Sequence, residues 1–262
     1  MILAWRELMS IERNELKGKV AIVTGGARGI GRAIASKLAE EGVSVVVADR
    51  EATSAKKTAD FLRKKGGRAI AIVTDVSDKD SVEAMVKRTV EEWKKVEILV
   101  NNAGIMFRTR LLNISLEEWD EVLRVNLTGP FLTIRAVLPL MKKQGFGRII
   151  NISSLAGRSV STLGGAHYTS SKAGLLGLTR AVAKEMAPFG ITVNAICPGL
   201  IRTRMVKDTT SKEELERVVN SIPLERIGLP EEIGDLVVFL CSEKASYVTG
   251  ASIDINGGSL MI

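Results

Sequence analysis

From Val20 onward the chain alternates short, continuously apolar runs with longer stretches whose apolar residues recur every three or four positions. The runs Val20–Thr24, Val43–Ala48, Ala69–Thr74, Ile98–Val100, Arg148–Ile152, Thr192–Ile196 and Ser252–Ile255 are rich in β-branched residues and predict strands. Between them Ile30–Glu41, Lys56–Lys65, Ser81–Trp93, Leu116–Met141, Tyr168–Ala187 and Glu231–Cys241 predict helices. Gly42 ends the first helix and Gly66-Gly67 stop the second, while Pro130 and Pro139 should perturb the fourth. Strands this apolar need burial on both faces, and their alternation with helices implies right-handed crossovers. The expectation is an α/β fold: one doubly wound, mostly parallel seven-stranded sheet with helices on both faces. No linker or repeat interrupts the rhythm, so residues 15–262 are expected as a single domain behind an N-terminal extension, residues 1–14. Leu200–Pro230, polar at its start and bounded by prolines, is expected as a loop or helix pair outside the sheet, able to act as a lid.

Composition narrows this picture. With 262 residues, 45% of them hydrophobic, the chain can bury a large core without disulfides or metals. The formal charge of +7 reads as an ordinary solvated basic surface. No long Lys/Arg block occurs and aromatics are 4%, so no nucleic-acid partner is expected. Cys197 and Cys241 are far apart and lack ligand spacing, and His167 is the sole histidine. These facts argue against a metal site and fit buried thiols in a reducing cytoplasm. No run is apolar for long enough to span a bilayer, and Met1–Lys17 does not read as a signal peptide, being broken by Arg6 and Glu7. No membrane partner is expected.

The first chemical signal is the loop Gly25-Gly26-Ala27-Arg28-Gly29-Ile30-Gly31 between the first strand and the first helix. Its G-x-x-x-G-x-G spacing differs from the usual G-x-G-x-x-G, and a glycine cluster alone marks only a tight turn. Its position at a strand end and helix start changes that reading. Helix N-termini offer free N–H groups to a pyrophosphate, and glycines let the backbone approach it. About twenty residues on, Asp49 closes the second strand, where a carboxylate can accept the ribose hydroxyls and repel a 2′-phosphate. Asp49 favours NAD; Arg28 and Arg50, each able to pair with a 2′-phosphate, keep NADP open.

Tyr168 and Lys172 stand four residues apart on one helix face. A free tyrosine titrates near 10, too high for a base at neutral pH. A neighbouring ammonium and a cationic nicotinamide would both favour the phenolate. Such a tyrosine can exchange a proton with an alcohol or carbonyl oxygen.

Thr24–Gly31 (TGGARGIG), Asn101–Gly104 (NNAG), Asn126, Ser154, Tyr168-x-x-x-Lys172 and Pro198-Gly199 occur in one order at consistent separations. Together they resemble the short-chain dehydrogenase/reductase family, from roughly Leu16 to Gly258. The resemblance implies a Rossmann fold, a nicotinamide cofactor and hydride transfer to or from a secondary alcohol or ketone. It implies Tyr168 as general acid/base and Lys172 on the nicotinamide ribose. Ser154, or its neighbour Ser153, would bind the substrate oxygen, with Ser154 nearer the family's spacing. Asn126 would hold a water in a proton relay ending at Lys172. Asn102, Ala103 and Gly104 would flank the cofactor, Asp75 and Val76 the adenine, and Pro198, Gly199, Ile201 and Thr203 the nicotinamide side. It further implies a homotetramer or homodimer built through Leu116–Met141 and Tyr168–Ala187.

Within the family the chain looks like 3-oxoacyl-acyl-carrier-protein reductases and sugar or polyol dehydrogenases. Arg148 matches a basic carrier-docking position of the former, but Phe189 stands at the second such position. With Asp49, that departure favours a small alcohol, polyol or sugar as substrate, and makes the 3-oxoacyl-carrier or acyl-CoA reductase the alternative. A nucleotide-binding regulator without turnover is the non-enzyme alternative, disfavoured by the joint presence of Tyr168 and Lys172. His167 is expected to point away from the site, since adjacent helical residues do not share a face. Cys197 is expected as a small buried hydrophobe, Trp5, Trp93 and Trp119 as packing residues, and Met106, Phe107, Leu155 and Leu200 as pocket wall or core.

Overall fold

The computed structural model describes residues 15–161, 163–203 and 211–262. The expected N-terminal extension and Trp5 lie outside them. Seven strands form one sheet: β1 (Val20–Thr24), β2 (Ser44–Asp49), β3 (Arg68–Val73), β4 (Ile98–Asn101), β5 (Gly147–Ile152), β6 (Ile191–Pro198) and β7 (Ser252–Ile255). Their order is β3-β2-β1-β4-β5-β6-β7, and every pair is parallel. The order reverses between β1 and β4, the position at which doubly wound sheets open a crevice at their carboxyl edge.

Alternation along the strands divides the core into two layers. Val45 and Val47 face one side with Ile34, Leu38, Val237 and Leu240; Ile22, Val46 and Leu99 face the other with Met85, Val137 and Met141. The first layer is covered by α1 (Gly29–Glu40), α2 (Ala52–Lys64) and α8 (Pro230–Cys241). The second is covered by α3 (Lys79–Trp93), α5 (Gly129–Gln144) and α6 (Ala166–Met186). Both faces being buried explains why the strands carry no polar alternation.

Most predicted elements shift by only one or two residues. The second helix starts at Ala52 rather than Lys56, because Ala52 and Thr53 are exposed and the one buried residue of the first turn, Ala55, is too small to mark an apolar period. The stretch predicted as Leu116–Met141 divides into α4 (Leu116–Leu123), a π turn (Arg124–Thr128) and α5. Pro130 lies in the first turn of α5 and has no N–H for the carbonyl of Asn126 four residues earlier, so the helix widens there. Within Leu200–Pro230 the described part holds α7 (Lys212–Asn220), capped by Ser211. Residues 204–210, where the expected lid begins, lie outside the described residues.

A buried ladder of polar side chains crosses the second layer. Thr133 of α5 donates to Asn101 of β4 (2.6 Å), Asn101 to Asn151 of β5 (2.9 Å), and Asn151 to Thr179 of α6 (2.9 Å). Thr179 in turn donates to the Leu175 carbonyl (2.7 Å), so each member has a partner.

Candidate active site

The crevice starts where β1 ends. Gly25 and Gly29 hold φ of +61° and +54°, a region open to glycine. A Cβ on Gly31 would lie 2.1 Å from the Gly25 carbonyl oxygen, so the first turn of α1 can close only on glycine. Asn102 stitches this loop to β4 by donating from Nδ2 to the carbonyls of Thr24 and Gly25, both at 3.0 Å. The Thr24 hydroxyl accepts the N–H groups of Asn102 and Ala103, at 3.0 and 3.1 Å. Gly31→Ala is therefore expected to remove dinucleotide binding and to destabilise the fold by about 1–3 kcal/mol. Thermal unfolding with and without dinucleotide reads both effects; a variant still stabilised by the dinucleotide would refute the cradle.

One cavity of about 830 Å³ opens along this edge. It gathers Gly25, Arg28, Gly29, Ile30, Gly31, Asp49, Arg50, Asp75, Val76, Asn102, Ala103 and Gly104 with Ser154, Tyr168 and Lys172. Pro198, Gly199, Ile201 and Thr203 complete its floor. The glycine loop at the start of α1, with the Asp49 carboxylate beyond it in the same cavity, could hold a dinucleotide.

Two expected site residues do not line it. Ala27 is buried behind the loop: its N–H goes to Asp49 Oδ2 (3.2 Å), and its carbonyl accepts from the Thr58 hydroxyl (2.8 Å). It orients Asp49, whose Oδ1 also accepts the Glu51 N–H at 3.1 Å. Asn126, held in the π turn, makes three hydrogen bonds with its side-chain amide. Oδ1 accepts the Ile105 N–H (2.9 Å), while Nδ2 donates to the Ile105 carbonyl (2.9 Å) and to Ser171 Oγ (3.1 Å). Its side chain ties the segment after Gly104 to α6.

The two serines separate cleanly. Ser153 donates to the Lys172 carbonyl (2.9 Å) and faces the helix backbone. Ser154 caps the short turn Leu155–Gly157 and shares a side-chain hydrogen bond with Tyr168. Burial raises the Tyr168 hydroxyl above its ordinary value, and the bond to Ser154 offsets part of this. Burial lowers Lys172 to about 8. Its ammonium donates to the Ile152 carbonyl at 2.8 Å and lies 5.8 Å from the centre of the Tyr168 ring. In the protein alone desolvation dominates at Tyr168, and the opposing effect comes from Ser154 rather than from the expected lysine.

Away from the glycine loop the lining is mostly apolar, with the hydroxyls of Ser161, Ser221 and Ser259 among it. Met106, Leu155 and Leu200 line the cavity as expected; Phe107 does not, and instead packs toward His167. Leu163, Val218 and Ile222 line it too and were not foreseen, because loop and lid residues carry no periodic signal. Cys197 is fully buried, its thiol pushed up to about 11 by burial, as expected for a small buried hydrophobe. Arg148 does not meet its expectation as a docking residue. It is 3% exposed and bonded to the Gly147 and Gly190 carbonyls and to Glu243, because the base of β5 lies inside the sandwich. Among the described residues no helix is long and apolar enough to cross a membrane.

Comparison with known proteins gives a consistent result. A family model described as Enoyl-(Acyl carrier protein) reductase matches residues 25–259. A 3-oxoacyl-acyl-carrier-protein reductase of Synechocystis is 43% identical over 94% of this chain and 98% of its own. Its counterpart in Aquifex aeolicus is 44% identical over 93% of this chain and 98% of its own. Among solved structures, gox2181 superposes with a TM-score of 0.92 at 36% identity, covering 95% of this chain and 98% of that one. A 3-oxoacyl-acyl-carrier-protein reductase from Brucella melitensis superposes with a TM-score of 0.91 at 36% identity, covering 97% and 96%.

Proposed function

The chain belongs to the short-chain dehydrogenase/reductase family and is an oxidoreductase acting on a carbonyl or hydroxyl group; we propose that it reduces a 3-oxoacyl thioester to the 3-hydroxyacyl thioester with NADH. This replaces the expectation of a small alcohol, polyol or sugar, which the relatives do not favour. The observation that carries the reading is the wall beyond Ser154 and Tyr168: Met106, Leu155, Leu163, Leu200, Val218 and Ile222. The lining adds only the hydroxyls of Ser161, Ser221 and Ser259, so most of this surface offers a polyol no partner, whereas an acyl chain needs none.

The chemistry a nicotinamide brings to this cavity is reversible hydride transfer. The glycine loop and the N-terminus of α1 hold the pyrophosphate, and Asp49 accepts the adenosine ribose hydroxyls. Ser154 donates a hydrogen bond to the ketone oxygen as negative charge develops on it. Tyr168 gives that oxygen its proton, so ketone, hydride and proton sum to the alcohol. Lys172 holds the nicotinamide ribose and its positive charge favours the phenolate left behind.

The preference for NADH rests on Asp49, whose carboxylate is fixed at the cavity edge by two backbone N–H groups. Arg50 also lines the cavity, but its charge acts on Asp75, whose carboxyl is lowered chiefly by its bond to Ser77 and in smaller part by Arg50. In steady-state assays on an acetoacetyl thioester, kcat/KM with NADH should exceed that with NADPH by about tenfold, equivalent to 1.4 kcal/mol. Asp49→Ala should erase most of that margin. Faster NADPH-driven reduction by the parent enzyme would defeat the NADH assignment, and turnover of polyols above that of the thioester would defeat the substrate class.

A further inference from the structure

We propose that the buried His167 and its partly exposed partner Glu118 form a positioning pair for Tyr168; the proposal rests on Tyr168 as the proton-transfer residue. Helix α6 begins at Ala166, and its N-cap, Gly165, has no side chain to receive the first N–H groups. Such groups are orphans unless something caps them. His167 does so from inside the helix: its Nδ1 accepts the backbone N–H of Tyr168 itself, at 2.8 Å. Accepting that bond leaves Nδ1 without a proton, so the neutral ring carries its proton on Nε2. Nε2 stands 2.7 Å from Glu118 Oε1 on α4 and donates to it.

The imidazole is fully buried. Phe107 packs beside it at 6.3 Å between ring centres, and the Phe107 carbonyl accepts the Gly165 N–H at 2.9 Å. Glu118 is held as a carboxylate by hydrogen bonds from Thr109 and from His167. The ring therefore joins three pieces: the start of the tyrosine helix, α4, and the segment after Gly104 that supplies Met106 to the cavity. It lines no part of the cavity, so it acts on the reaction only through the backbone of Tyr168.

Two near-isosteric variants separate the two nitrogens. In His167→Asn the side-chain oxygen sits near the place of Nδ1 and keeps the cap, but loses Glu118. In His167→Gln the amide reaches Glu118 and leaves the Tyr168 N–H unmet. His167→Gln is expected to lower kcat about tenfold, with KM and dinucleotide Kd held within about twofold. His167→Asn is expected to recover kcat to within about threefold of the parent. Should either variant fold poorly, Glu118→Ala gives a second reading, with kcat expected to fall about fivefold at constant KM. Equal kcat in the Asn and Gln variants, or losses carried by KM or dinucleotide affinity, would overturn the proposal. Tyr168→Phe run alongside distinguishes the two failures. If it turns over normally, the tyrosine assignment falls first; if it is inactive while both His167 variants match the parent, only the positioning role falls.

Discussion

Tyr168→Phe is expected to lower kcat about a thousandfold while leaving dinucleotide affinity unchanged, the size of loss that follows removal of a positioned general acid. The variant deletes one oxygen from a side chain whose ring stays packed, so fold and cofactor cradle are untouched. Ser154 remains to polarise the ketone, but no proton donor stands beside it. Dinucleotide fluorescence titration should give the parent Kd, and single-turnover kinetics should place the whole loss in the chemical step. A loss confined to KM would move the tyrosine from catalysis to binding. A loss below about tenfold would mean that solvent supplies the proton.

Lys172→Met is expected to inactivate the enzyme by about a hundredfold and yet to stabilise it. Lys172 is 5% exposed and lowered to about 8 by burial. In the unfolded chain the lysine titrates near its ordinary value of 10.5. Below about 8 the folded protein carries a buried charge at the full desolvation penalty. Between about 8 and 10.5 the unfolded state binds more protons than the folded one, so parent stability rises with pH across that window. Methionine fills a similar volume without the charge, at the loss of one donor to the Ile152 carbonyl. The net gain at neutral pH should be on the order of 1–2 kcal/mol and should shrink toward pH 10. Urea unfolding at pH 7 and pH 10 checks this; a variant less stable than the parent at pH 7 would contradict it. The parent should also lose activity above about pH 8 as the ammonium deprotonates.

Much of this was legible in the sequence, for physical reasons that differ by residue. The strands were readable because a two-sided sheet forces unbroken β-branched runs, as at Val43–Ala48. The glycine loop was readable because Gly25 and Gly31 leave no room for a Cβ and Gly29 holds the positive φ that glycine favours. Tyr168, Lys172 and Ser154 carried a spacing, and the structure brings them into one cavity. Asn126 had a motif position but its engagement with Ile105 and Ser171 depends on the π turn, which a linear pattern does not encode. Ala27 belonged to the loop by sequence, yet only the fold reveals that its N–H turns toward Asp49. Arg148 looked like a surface cation until the base of β5 proved to be inside the sandwich. The substrate wall was least legible: Leu163, Val218 and Ile222 come together from distant segments and need only be apolar.

The ladder Thr133–Asn101–Asn151–Thr179 bears on how the enzyme tolerates change. Apolar packing resists separation of a helix from a sheet but resists sliding less, since one methyl can replace another along a groove. Directional bonds index α6 against β5 at a fixed point on the helix axis. Slippage of α6 by one helical turn, about 5.4 Å, would break its rung, Asn151–Thr179, and leave both residues buried without that bond. Ser154 follows β5 and Tyr168 rides α6, so their mutual approach is gauged from beneath the site. Wall residues on α7 and the neighbouring loops can then be exchanged for a longer or shorter substrate, and the distance between serine and tyrosine stays the same.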